Sequence, residues 1–154
     1  MKRLKEVLLL LLTMILLPGM SACSGYNGMM REHLGNRDHY ALIDATFCSY
    51  KQADDRIYLY VSVEDPSAFD ASEANGEEIR LELVGDNCQA LCEILAKQEI
   101  RKGDSMTVRC STWIYMDTEF YYVAEIKSQD QTFLAFDDGL ENIREYMNDR
   151  KSLF

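Results

Sequence analysis

The stretch that decides the fold is IRLELVGDNCQALCEILA, Ile79 to Ala96, in which an alternating pattern gives way to a helical one. In its first six residues every second side chain is apolar, as in a half-buried β-strand. Gly85 and Asp86 mark the change of pattern. The apolar residues that follow recur at the spacing of one helix face: Cys88, Leu91, Cys92 and Leu95. The stretch therefore predicts a strand followed directly by a helix over roughly 87–98.

Two strands are predicted before this stretch and two after it. The clearest is 56–63, in which Ile57, Leu59, Val61 and Val63 alternate with polar or aromatic residues. The others are 39–50, 105–112 with an extension towards 116, and 119–127, where Phe120, Tyr122, Ala124 and Ile126 share one face. We also expect a short lead-in helix over 29–34, an edge strand over 132–136 and a final helix over 139–150. Asp138 and Glu141 have the spacing of an N-cap and N3 pair for that last helix.

Three strands, one helix and two strands in about 90 residues is the order of an OB-fold, a five-stranded Greek-key barrel. The segment Ile100 to Cys110 contains an apolar residue, a basic Gly–Asp turn and a Val-rich strand. It resembles the strand-four entry of small bacterial OB-fold domains, particularly the tRNA_anti-like group found in exported proteins. The resemblance covers Ala41 to Ile126. We therefore predict a mainly β fold: a five-stranded OB-like barrel with a helix between strands 3 and 4 and a C-terminal helix. The alternative is a small α+β sandwich.

The N-terminus is typical of a secretory signal peptide, with basic residues before an apolar run over 8–17. That run is shorter than the ~20 residues of a membrane-spanning helix. Met20-Ser21-Ala22-Cys23 then resembles the bacterial lipobox, which implies a signal peptide over 1–22 and acyl chains such as palmitate on Cys23. The resemblance also implies anchoring to the cell membrane, facing outside the cytoplasm. The alternative is an ordinary signal peptide in which Cys23 is a chance thiol. We expect a tether over 23–37 and the OB-like domain with its C-terminal helix over 38–154.

The chain is acidic, with 26 Asp and Glu against 16 Lys and Arg and a net charge of −10. This charge argues against binding to nucleic-acid backbones, so no nucleic acid is expected as a partner. Six carboxylates cluster in a loop and suit Ca²⁺, although their spacing is not that of an EF-hand: Glu64, Asp65, Asp70, Glu73, Glu77 and Glu78. A solvated loop is the simpler interpretation. We expect neither a metal ion nor a cofactor.

The sequence contains no HExxH, no GxSxG and no phosphate-binding glycine loop, so the protein is predicted not to be an enzyme. Its two histidines, His33 and His39, both lie near the tether. Four further cysteines follow Cys23, and the spacing of Cys88 and Cys92 is not a redox or zinc CxxC. Buried thiols are one interpretation. A disulfide from the helix to the fourth strand, Cys92 to Cys110, is the other, because an exported protein can form one.

Candidate binding residues are aromatic. Tyr58 and Tyr60 point away from the predicted core, and Trp113 and Tyr115 lie near the turn between strands four and five. OB-folds bind oligonucleotides or oligosaccharides through such surfaces, but base stacking normally accompanies a basic groove.

The predicted function is therefore a lipid-anchored, extracytoplasmic, non-catalytic binding module for an envelope protein or a peptide. Binding of an oligosaccharide or cell-wall glycan by the same aromatic face is the runner-up, and an enzyme with an unrecognised site is a third possibility. The aromatic residues also have a purely structural interpretation, since Tyr and Trp are favoured in strands.

Overall fold

The computed structural model describes residue 25 and residues 27–63, 78–115 and 118–149. The signal peptide, Cys23 and the acidic loop over 64–77 lie outside the described residues, as does the turn at 116–117. The strands are β1 (Ala41–Gln52), β2 (Arg56–Val63), β3 (Glu78–Val84), β4 (Ser105–Tyr115), β5 (Thr118–Ser128) and β6 (Gln131–Leu134). The helices are α1 (27–35), α2 (Asp86–Ala96) and α3 (Phe136–Asp149), with a short 3-10 helix at Arg37–His39.

The strands form one six-stranded sheet in the order β3-β2-β1-β4-β5-β6. A parallel pairing of β3 with β5, at Leu81 opposite Tyr121 and Glu82 opposite Tyr122, closes the first five strands into a ring. The other pairings are antiparallel, and α2 lies between β3 and β4 in the chain. This is the connectivity of an OB-like barrel, so the predicted fold class is confirmed.

The barrel interior is filled by the apolar residues that alternate along each strand. In β2 these are the residues that the pattern predicts, each buried: Ile57, Leu59, Val61 and Val63. Leu91 and Leu95 of α2 and Ile100 behind it belong to the same core, and Cys88 and Cys92 pack partly buried against it. The helix α2 supplies this apolar face at one end of the barrel. The stretch 79–96 therefore forms the strand and the helix that its alternating and helical patterns predict.

A second apolar cluster, the outer cluster, lies on the outside of the barrel, where α1 and α3 pack over β5 and the end of β3. Its buried members are Leu34, Tyr40, Val84, Tyr122, Ala124, Leu140, Ile143 and Met147. The Tyr40 hydroxyl donates a hydrogen bond to the Leu34 carbonyl at 2.7 Å, which fixes the end of α1 to the start of β1. The helix that we expected within the tether is therefore packed on the domain.

One predicted face was wrong because β5 carries a bulge. Cys110 lies opposite Val123 and Arg109 opposite Glu125, so Ala124 is an extra residue in β5. A bulge shifts the alternation by one residue. Tyr122 and Ala124 therefore belong to the outer cluster, whereas Ile126 lies in the barrel core.

The predicted cap of the last helix was also wrong. The helix α3 begins at Phe136, so Asp138 lies inside its first turn rather than before it. Carboxylates there still favour the helix, because its N-terminus carries a partial positive charge. Among the described residues, no helix combines the length and apolarity needed to cross a membrane.

Candidate binding face

A row of aromatic and arginine side chains crosses the outer face of the barrel. Tyr60 of β2 lies directly opposite Arg80 of β3, and Phe120 of β5 lies directly opposite Trp113 of β4. The parallel contact between β3 and β5 joins the two halves. We call Tyr58, Tyr60, Arg80, Phe120 and Trp113 the aromatic–arginine row. At a strand spacing of about 4.8 Å, four adjacent strands span roughly 14 Å.

Arg80 is the centre of this row. Its guanidinium carbon lies 5.0 Å from the centroid of the Tyr58 ring and 5.9 Å from that of Phe120. Both distances are within the range of cation–π contact. The Arg80 side chain is 42% exposed, and the four aromatic side chains are half-buried. The row therefore presents a planar cation among supported rings, which is an arrangement suited to stacking on flat ligands.

The row continues at one end into α1. The His33 ring lies 5.4 Å from the Trp113 ring and is stacked on His39 at 4.2 Å. His39 Nδ1 lies 3.0 Å from the His33 carbonyl oxygen, within hydrogen-bonding distance. Burial lowers the pKa of His33, as does the nearby charge of His39, against the opposing effect of a hydrogen bond with the Thr112 backbone. The His33 ring is thus favoured in its neutral form.

The structure brings together three of the four predicted binding residues. Tyr58, Tyr60 and Trp113 belong to the row, whereas Tyr115 lies two residues beyond Trp113 on the same face, at the end of β4. Tyr115 is 42% exposed. Sequence reasoning missed Arg80 and Phe120 as site residues. The alternation in β3 does place Arg80 outward. Phe120 lies beside Arg80 only because β3 pairs with β5, and this pairing cannot be predicted from the sequence of either strand.

The four cysteines in the described residues form no bridge with one another in this structure. Cys92 and Cys110 are both free thiols, as are Cys48 and Cys88, so the Cys92–Cys110 disulfide considered as an alternative is absent here. Burial raises the pKa of Cys88 to about 11 and that of Cys110 to about 12. Thiols with such pKa values are poor nucleophiles at neutral pH, since the thiolate is the reactive form.

No group of three or more His, Cys, Asp or Glu side chains in the described part of the chain is arranged to hold a metal ion. The carboxylates considered for Ca²⁺ lie outside the described residues, apart from Glu78 at the start of β3. A polar cleft of about 670 Å³ lies elsewhere, where β1, β4 and the turn between β5 and β6 meet. Its lining includes Asp44, Thr107 and Lys127, and it shares no residue with the row.

No protein-family model matches the chain, and no curated protein does. Among solved structures, the chain is similar to a chain of a replication protein A heterotrimer bound to single-stranded DNA. The TM-score is 0.39 at 9% identity, over 75% of this chain and 74% of that chain. It is also similar to a chain of the S. pombe Stn1–Ten1 complex, with a TM-score of 0.43 at 10% identity over 74% and 72% of the two chains.

A third similar structure is Pot1pC of Schizosaccharomyces pombe bound to single-stranded DNA. The TM-score is 0.40 at 16% identity, over 75% of this chain and 90% of that chain. These matches contradict two sequence-based predictions. An envelope protein, peptide or glycan as the ligand was wrong, and so was the exclusion of nucleic acid. That exclusion used the net charge of the whole chain, whereas base stacking depends on local aromatic surface.

Proposed function

We propose that the protein binds single-stranded nucleic acid, with bases stacking on the aromatic–arginine row. The observation that carries this proposal is the position of Arg80, whose guanidinium lies over Tyr58 on one side and Phe120 on the other. Single-stranded nucleic acid exposes the flat faces of its bases, which stack on aromatic rings and on arginine.

The small number of cations on this face limits the electrostatic contribution to binding. Arg56 and Arg80 both pair with Glu82 on this face, and Arg56 also pairs with Asp55, so two cations are balanced here by two carboxylates in a chain that carries −10. Few phosphates can be neutralised by so few cations. Affinity therefore comes mainly from stacking, and its dependence on salt is weak compared with that of basic nucleic-acid-binding proteins.

The test is fluorescence anisotropy with the purified full chain and a labelled single strand of about 15 nucleotides, within the range of OB-fold site sizes. Phe120→Ala should raise Kd by roughly 5- to 150-fold, which corresponds to the 1–3 kcal/mol of one stacked base. Tyr50→Ala is the matched control. Tyr50 is exposed, but it lies opposite the buried Leu59 and so faces away from Tyr58 and Tyr60. Equal affinity for the wild type and Phe120→Ala would overturn the proposal.

We further propose that the protein acts without catalysis while anchored outside the cytoplasm by acyl chains on Cys23. The support is the apolar run followed by Met20-Ser21-Ala22-Cys23, which resembles a lipobox. Two acyl chains give stable anchoring where one gives only marginal binding. Growth with labelled palmitate should label the wild-type chain and leave Cys23→Ser unlabelled in the soluble fraction. Equal labelling of both would contradict this part of the proposal.

A further inference from the structure

Glu82 is a buried carboxylate on the outward-pointing side of β3. It is 1% exposed, although the alternation predicts an outward residue facing solvent. Arg80 Nη2 donates to its Oε1 at 3.2 Å, and Arg56 Nη1 donates to its Oε2 at 3.1 Å. Burying a carboxylate has a desolvation cost that pairing offsets only when the geometry is good, so such groups are weak contributors to stability. The position of Glu82 therefore calls for a role other than stabilising the barrel.

The same carboxylate connects the row to α3. Arg56 Nη2 also donates to the Tyr146 hydroxyl at 3.2 Å, and that hydroxyl donates to Asp55 Oδ2 at 2.6 Å. Tyr146 lies on α3, partly buried against the outer cluster. A continuous set of hydrogen bonds thus runs from α3 through Arg56 and Glu82 to Arg80.

We propose that Glu82 is a positioning residue for the binding face, which holds the Arg80 guanidinium between the Tyr58 and Phe120 rings with support from Tyr146. This inference rests on the function proposed above. Arginine has many rotamers, and a side chain that is already ordered loses less entropy on binding.

The direction in which Glu82→Gln changes the affinity for nucleic acid distinguishes a positioning role from a purely electrostatic one. Glu82→Gln removes a negative charge next to the face, which by charge alone would strengthen binding to a polyanion. It also replaces one acceptor oxygen by an NH₂ group, which cannot accept from an arginine. If Glu82 positions Arg80, affinity for the labelled strand falls, by about five-fold for the loss of one cation–π contact. If Glu82 acts only through its charge, affinity rises.

Glu125 provides the matched control. It is 5% exposed, accepts from Arg109 at 2.8 Å and lies 2.6 Å from Lys127, so Glu125→Gln removes an equivalent buried charge outside the row. We expect unchanged or slightly higher affinity for Glu125→Gln. Tyr146→Phe, which keeps the ring and loses the hydroxyl, should lower affinity in the same direction as Glu82→Gln but less. This variant tests the inference if Glu82→Gln fails to fold.

A readout without nucleic acid separates this inference from the proposed function. In ¹⁵N relaxation of arginine Nε–Hε groups, Arg80 should be ordered in the wild type and mobile in Glu82→Gln, while Arg109 is unchanged. Equal order of Arg80 in both proteins would overturn the inference, as would tighter binding by Glu82→Gln. If the wild type binds no oligonucleotide, the proposed function fails, and the relaxation data still decide whether Glu82 positions Arg80.

Discussion

Gly139 of α3 lies directly against the main chain of Ala124 in β5. A Cβ atom built on Gly139 would overlap the carbonyl carbon and oxygen of Ala124. Ala124 is the extra residue of the β5 bulge, so the strand bends where the helix approaches it most closely. The Asn87 side chain donates to the Gly139 carbonyl at 3.2 Å and lies 2.5 Å from Asn142 Nδ2, and these contacts join α2 to α3. The approach of Gly139 to Ala124 therefore fixes the position of α3 on the outside of the barrel.

The contact predicts a large effect of Gly139→Ala. Because the obstacle is backbone, the added methyl group displaces α3, and we expect a loss of about 1–3 kcal/mol or more in the free energy of unfolding. Urea denaturation measures it. Gly28→Ala is the matched control, because a Cβ there meets nothing within 4 Å and alanine favours a helix. Equal stability of Gly139→Ala and the wild type would contradict the close approach.

Substitution of Ser111, unlike that of Gly139, is expected not to lower the free energy of unfolding. It is 1% exposed, and among the described side chains its hydroxyl is the buried polar group without a hydrogen-bond partner. Leaving a buried hydroxyl unsatisfied has a cost of about 1–3 kcal/mol. Ser111→Ala should therefore leave stability unchanged or raise it by about 1 kcal/mol, measured by urea denaturation. As the contrasting case, Ser128→Ala should be destabilising, since its hydroxyl donates to the Ser105 carbonyl at 2.7 Å.

Patterns local to one element predicted their structures well. β2 begins at Arg56 and ends at Val63 as the alternation indicates, and its outward tyrosines are where the pattern places them. The order of strands and helices predicted the barrel because it is the order of an OB-fold, although the same order left a small α+β sandwich as an alternative. The face of β5 was missed, since the alternation within β5 gives no sign of the bulge at Ala124, which lies where Gly139 of a different element approaches the strand.

The candidate binding face was only partly predictable, because it also depends on contacts between different elements. Tyr58 and Tyr60 follow from alternation within β2. Arg80 and Phe120 lie far apart in the chain and become neighbours only when β3 and β5 close the barrel. Glu82 looks like a solvated residue in the pattern of β3, and its burial arises from Arg56 and Arg80. The row is assembled from four strands, and the pairings between those strands cannot be recognised in any single stretch of sequence.

The stacked histidines predict a dependence of stability on pH. The pKa of His33 is lowered in the folded protein by burial and by His39, so the unfolded chain binds more protons. The stabilising effect is complete above the unfolded value of about 6.5 and is lost as the pH falls through the lower folded pKa. The melting temperature should therefore fall between pH 7.5 and pH 5.5.

The variant His33→Gln tests the origin of that fall. It removes the titrating group, so its melting temperature should change less over this range than that of the wild type. Titration of Glu125 does not contribute to the change in melting temperature over this pH range. Burial acts to raise its pKa, but hydrogen bonds from Lys127 and Arg109 outweigh burial and lower it, so this carboxyl titrates below the range. A slope that His33→Gln leaves unchanged would show that another group is responsible.

Arg80→Lys distinguishes a stacking arginine from a point charge. Lysine keeps the positive charge but lacks the planar guanidinium that stacks on rings and bases. We expect affinity for a labelled single strand to fall about 2- to 30-fold, the range of a cation–π contact of about 0.5–2 kcal/mol. The slope of log K against log salt should stay the same, because each neutralised phosphate contributes about −0.7 and the charge is retained. Arg109→Lys is the control, since Arg109 lies over Phe136 at 4.7 Å, outside the row. Full affinity in Arg80→Lys, together with a steep salt slope, would mean that the face recognises phosphates instead of bases.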